Sequence, residues 1–243
     1  MLEVTVLFVA AFSFVQSLFG VGLLVFGTPT FLLLGYSFPE TLAILLPASL
    51  AVSLLQVQKG PRIDADLVRQ FLWWCMPALA ASLTLVLVFK FQASLTLYVS
   101  ILLAGFAILR VAPLLDEKAK SWIVHHGREW LLIMGIVHGL SNLGGALLTI
   151  YAVARHREKD RVRASIALCY SCFAAIQLAV LAVLRPEVFG WWQLAYAFVA
   201  AGVFLAVGQP TFRGLPAAVF DGLLTAFISG YSILLALKYA QVL

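Results

Sequence analysis

WLLIMGIVHGLSNLGGALLTIYAVA runs from Trp130 to Ala154 without an Asp, Glu, Lys or Arg. A helix needs about 20 apolar residues to cross the bilayer core, so this stretch is long enough to span. Its middle, Asn142-Leu143-Gly144-Gly145, is composed to interrupt a helix, because glycine loosens the backbone and asparagine favours caps and turns. The stretch therefore reads as two half-helices that enter the membrane and return to the side they came from. The positions of the basic residues test that reading. If all eight apolar runs cross once, Lys and Arg divide nine to seven between the two sides, which fixes no orientation. If the run at Trp130 turns back, the split becomes thirteen to three, the asymmetry expected of short cytoplasmic loops.

The other runs are Leu2–Gly35, Pro39–Val57, Val68–Phe89, Ala93–Leu115, Val162–Leu184, Phe189–Gly208 and Leu215–Ala240. With 63% hydrophobic and 11% charged residues and a mean hydropathy of +1.02, the chain has lipid for most of its solvent. The connections are too short to hold a soluble domain. The start, Met1-Leu2-Glu3, lacks a basic n-region, so the first run is expected to stay in the mature protein. Leu2–Gly35 would measure about 50 Å as one helix at 1.5 Å per residue. Interruptions are expected at Gly20-Val21-Gly22 and at Gly27-Thr28-Pro29, because proline lacks an amide donor and clashes with the preceding turn.

The predicted fold is an all-α membrane protein of about eight transmembrane segments in two inverted repeats, with the first and fifth segments broken or re-entrant. The first repeat covers residues 1–115, a cytoplasmic interfacial connector 116–128, and the second repeat 129–243. An odd number of crossings per half inverts the second half, the plan of many secondary transporters. A shift of 122 residues places Gly22 on Gly144, Ser49 on Ser171 and Pro47 on Cys169. Under this plan the protein is a multi-pass membrane protein with both termini periplasmic.

No Lys or Arg falls in the middle of an apolar run, so a small anion would be held by backbone amides, neutral side chains and the positive ends of half-helices. Gly20, Gly22, Gly27 and Thr28 in one half, and Ser141, Asn142, Gly144 and Gly145 in the other, have the composition of such a cradle. The competing reading is that these small residues only let helices pack closely. Ser49 and Ser171 join the cradle through the repeat, while Ser53, Gln56 and Gln177 are further polar groups in the same two helices. His138, one turn before Asn142, and Asp221 in the last run are candidates for carrying a coupled proton, since ionisable groups at membrane depth are functional candidates by default.

Cys75, Cys169 and Cys172 all lie in apolar runs and read as packing, with no disulfide framework and no metal site. Ser37-Phe38-Pro39-Glu40 reads as a capping box, and Asp64 and Asp66 open the next helix.

Phe19-Gly20-Val21-Gly22 through Thr28-Pro29, then Ala43 and Ser49, with Gly139-Leu140-Ser141-Asn142-Leu143-Gly144-Gly145, Arg163-Ala164 and Ser171, resemble the sulfite exporter TauE/SafE family over essentially the whole chain. The resemblance implies a bacterial inner-membrane permease of two related halves that moves sulfite, a sulfonate or another small sulfur-containing or organic anion. It implies no enzyme and no cofactor. The expected partners are a small anionic substrate and membrane lipid, with no nucleic acid and a homodimer left open. Here Leu23 and Leu24 follow Gly22 where the family has a richer glycine tract. Two other classes stay in view: an anion channel, which flux that saturates and couples to protons would exclude, and an intramembrane hydrolase built on Ser141 and His138.

Overall fold

The computed structural model describes residues 2–89, 117–216, 219–220, 222–223 and 226. Expectations for the run Ala93–Leu115, for most of the last run and for Asp221 lie outside these residues. The described residues form helices and the connections between them, with no strand among them.

The first run folds as two helices, α1 (Leu2–Phe19) and α2 (Leu23–Leu33). Gly20 takes a left-handed φ of 76°, and Gly22 comes so close to α1 that a Cβ there would lie 2.5 Å from the Gln16 nitrogen and 2.8 Å from the Phe12 carbonyl. Only the first of the two expected interruptions occurs. Gly27-Thr28-Pro29 stays inside α2, where Pro29 lacks an amide but the helix continues through it. Residues Leu23 to Pro29 are all buried, so protein on every side holds that turn in place. Thr5 Oγ1 lies 2.9 Å from the Tyr36 hydroxyl, and the Phe8 and Phe31 rings pack at 6.4 Å, so α1 and α2 form a hairpin.

The capping box forms as predicted at the start of α3 (Phe38–Lys59): the Ser37 amide donates to Glu40 Oε2 at 2.8 Å and the Glu40 amide to Ser37 Oγ at 3.4 Å. The helix α4 (Ala65–Phe89) begins on Asp64, whose side chain accepts from the Asp66 amide, and contains a π-helical turn at Phe71–Cys75. A short helix, α5 (Glu117–His125), leads into α6 (Gly127–Ser141). The break Asn142–Gly144 separates α6 from α7 (Gly145–Arg155), and Trp130 Nε1 donates to the Leu147 carbonyl at 3.2 Å, which makes α6 and α7 a second hairpin. Two long helices follow, α8 (Lys159–Leu184) and α9 (Trp192–Gly214), the latter with a π-helical turn at Phe204–Gly208. α3, α4, α8 and α9 are each long and apolar enough to cross a membrane.

The two hairpins open at opposite ends. At one end Arg155 of α7 pairs with Asp64 before α4, and Lys159 of α8 donates to the Leu215 carbonyl beyond α9. At the other, Arg185 after α8 donates to the Leu87 carbonyl of α4, and the α1–α2 hairpin opens at Thr5 and Tyr36. α3 and α8 pack along each other at the centre, with α9 against α3 and α1, and α4 against α8 and α6. Burial of apolar area does not drive helices together in lipid, so close approach must come from small residues and polar ties. Gly139 of α6 meets that need, lying against Ser82 and the Leu79 carbonyl of α4 with no room for a side chain.

Candidate functional site

The two breaks create two buried polar clusters. At the first, Gln16 of α1 donates through Nε2 to the Ser49 carbonyl at 3.1 Å and Ser53 Oγ at 3.0 Å, while its Oε1 accepts from Ser49 Oγ and the Leu23 amide, each at 3.2 Å. The first amide of α2 is thereby satisfied by a side chain of α1. The last carbonyls of α1 are satisfied from α3, because Gln56 Nε2 donates to Gln16 O at 2.8 Å and Ser17 O at 3.2 Å.

At the second break Asn142 takes a left-handed φ of 63°. Its Nδ2 donates to Thr28 Oγ1 at 2.8 Å, and its Oδ1 accepts from Gln177 Nε2 at 3.1 Å. Gln177 Oε1 lies 3.1 Å from His138 Nε2. Since the Gln177 nitrogen faces Asn142, its oxygen faces the imidazole, and the neutral ring carries its proton on Nε2. His138 stacks on Phe173 at 3.8 Å, and its Nδ1 is buried without a partner. Thr28, His138, Asn142 and Gln177 are all 0% exposed, so this state is closed to both sides. The Tyr170 hydroxyl, also buried and unpartnered, points at Gly145, the first residue of α7, and a Cβ there would collide with it.

The shift of 122 residues extends to this geometry. Gln16 corresponds to His138, and Gly20 to Asn142, both left-handed. Gly22 rests on residues 12 and 16, and Gly144 on residues 134 and 138.

Of the predicted residues, the structure brings Thr28, Asn142 and His138 into one chain and puts Gly144 and Gly145 beside it. Gly20, Gly22 and Ser49 belong to the first cluster. Among the described residues, the hydrogen bond joining the two broken segments is that from Asn142 to Thr28, so the glycine tracts line two clusters and not one cradle. Gly27 packs on Leu45. Ser141 donates to its own helix at Val137 O, 2.7 Å away, and Ser171 likewise to Leu168 O. His138 and Ser141 therefore do not bond each other. Among the described residues no group of side chains could hold a metal ion. The sequence reading missed Gln16 and Tyr170 as site residues. Gln16 had a usable signal, a polar residue in an apolar run that falls on His138 at the same shift.

The family model described as "Sulfite exporter TauE/SafE" matches residues 5–239. No curated protein and no solved structure matches the chain.

Proposed function

The chain belongs to the sulfite exporter TauE/SafE family of membrane permeases, and from that premise we propose that it is a secondary transporter for a small sulfur-containing or organic anion, sulfite or a sulfonate, coupled to protons. The observation that carries this reading is the Asn142 break. A half-helix of 11 residues starts there inside the protein, with a buried, unpartnered Tyr170 hydroxyl at its first residue and the Asn142 amide beside it. Helix N-termini favour negative charge. An oxyanion bound there would take hydrogen bonds from the α7 amides, from Tyr170 and from Asn142 Nδ2 released by Thr28. His138, whose Nδ1 is free, is the group that would take up a proton as the anion arrives.

The chain's two halves are read as inverted repeats in the inner membrane, with the basic end cytoplasmic and the termini periplasmic. Support comes from the opposite openings of the two hairpins and from the paired geometry of Gly20 with Asn142 and Gly22 with Gly144. Rocking of one half against the other would open the closed clusters to each side in turn.

Proteoliposomes decide the matter. Uptake of sulfite, methanesulfonate or a small carboxylate should saturate and respond to an imposed proton gradient, and Asn142→Ala and Gly144→Val variants that fold should lose it. Wild-type rates in both variants would place the site elsewhere. Flux that neither saturates nor couples would make the protein a channel.

A further inference from the structure

Arg163 closes the basic run Arg155, Arg157, Lys159, Arg161 at the very start of the apolar run Val162–Leu184, and it stands in the second turn of α8 with only 4% of its surface exposed. Its guanidinium lies 3.7 Å from the centroid of the Phe212 ring and 5.8 Å from that of Phe204, and it donates to Gln209 Oε1. Among the described residues no carboxylate comes within 4.0 Å of it. Asp160, one turn earlier, lines the same narrow cleft without pairing to it, and Lys59 adds a second positive charge there. A buried cation ordinarily has a counter-charge, and two aromatic faces with one amide oxygen replace only part of its hydration.

The cleft holds a second unmet group. Gln56, which lines the cleft, is 2% exposed; its Nε2 is occupied by the last carbonyls of α1, and its Oε1 is a buried acceptor without a donor. The cleft also adjoins the first break, since a Cβ on Gly20 would sit 3.2 Å from the Arg163 carbonyl.

We propose that Arg163, Gln209 and Gln56 form a second anion site, at the basic end of the first broken segment, for a small oxyanion that still carries one proton. The charged oxygens meet the guanidinium, and the O–H donates to Gln56 Oε1, which would repel a fully deprotonated anion. Hydrogen sulfite has this chemistry and methanesulfonate lacks the O–H. This rests on the reading of the chain as an anion permease and gives its substrate a station at the cytoplasmic mouth, apart from the Asn142 site.

The test is equilibrium binding of sulfite to the purified, delipidated full chain at a pH where the singly protonated form predominates. Wild type should give two phases. Arg163→Gln should lose one, with affinity down at least tenfold, and its anion-free Tm should not fall, because the unpaired buried charge is gone. Asn142→Ala should lose the other phase. Methanesulfonate should bind weakly to the Arg163 phase. A single wild-type phase that Arg163→Gln leaves unchanged overturns the proposal, as does an Arg163→Gln protein with lowered Tm and both phases intact, which would make the arginine a structural cation. Failure of the transporter reading looks different: sulfite flux into proteoliposomes would then neither saturate nor respond to an imposed proton gradient, whatever Arg163 does.

Discussion

Asn142 shows how one residue serves backbone and site together. Asparagine tolerates a left-handed φ better than other side chains, and here both ends of its amide are bonded across the protein. Asn142→Gly keeps the backbone but strands Gln177 Nε2, and a buried group left unbonded costs about 1–3 kcal/mol. Asn142→Ala adds the left-handed penalty of about 1–2 kcal/mol. Unfolding in detergent should therefore rank wild type above Asn142→Gly above Asn142→Ala; equal stability of the two variants would mean the backbone conformation there is unstrained. Tyr170→Phe should behave in the opposite sense. It removes a hydroxyl with no partner in the closed state, so Tm should hold or rise while sulfite transport slows, and an unchanged rate would remove Tyr170 from the site.

The elements meet where glycines let them. A Cβ on Gly144 would lie 2.5 Å from the His138 Cβ and 2.8 Å from the Met134 carbonyl, and its counterpart Gly22 is as crowded against Gln16 and Phe12. Overpacking of this kind typically costs about 1–3 kcal/mol. Gly22→Val and Gly144→Val should block transport while far-UV circular dichroism still reports helix, whereas Gly202→Val, which meets nothing within 4 Å, should be silent in both assays. Where α7 ends, Arg155 is bonded to Asp64 at 2.6 Å, and this hydrogen bond, with that from the Asp66 amide, holds the Asp64 carboxyl below its ordinary range. A depressed carboxyl lends stability above its unfolded pKa and loses it as pH falls through the lower folded value. Asp64→Asn should flatten that acid-side part of the stability profile. The Asp64 carboxylate is itself solvent-exposed, so the effect is small. An unaltered acid limb in the variant would show that the pair ties nothing.

Across the whole molecule, the described basic residues gather at one end, where α3, α7 and α9 finish and α4, α6 and α8 start, and Arg185 stands at the other. The proposed orientation puts the crowded end in the cytoplasm, as the positive-inside rule expects. In a background without Cys75, Cys169 and Cys172, cysteines at Lys118 and Arg161 should resist an impermeant thiol reagent in intact cells, while one at Glu187 should react. Labelling at only one of the first two positions would mean that α6 and α7 cross the membrane, and the inverted plan would fail.

Composition and run length determined by themselves that this chain lives in a bilayer, since little else tolerates so few charges over so many residues. The glycine and asparagine of Gly20–Gly22 and Asn142–Gly144 likewise fixed where two of its helices stop, because backbone conformation at these positions is a local matter. The second interruption expected at Pro29 did not occur, because a helix buried on all sides is held by its neighbours whatever one missing hydrogen bond favours. Tertiary structure alone decided which polar groups meet: Gln177 and Tyr170 reach the Asn142 break from α8, Gln16 of α1 reaches Ser49 of α3, and Arg163 turns inward under Phe212 although Arg157 and Arg161 just before it are exposed. Those meetings join residues 25 to 49 positions apart, and no local preference of the chain encodes which face of one helix will lie against another.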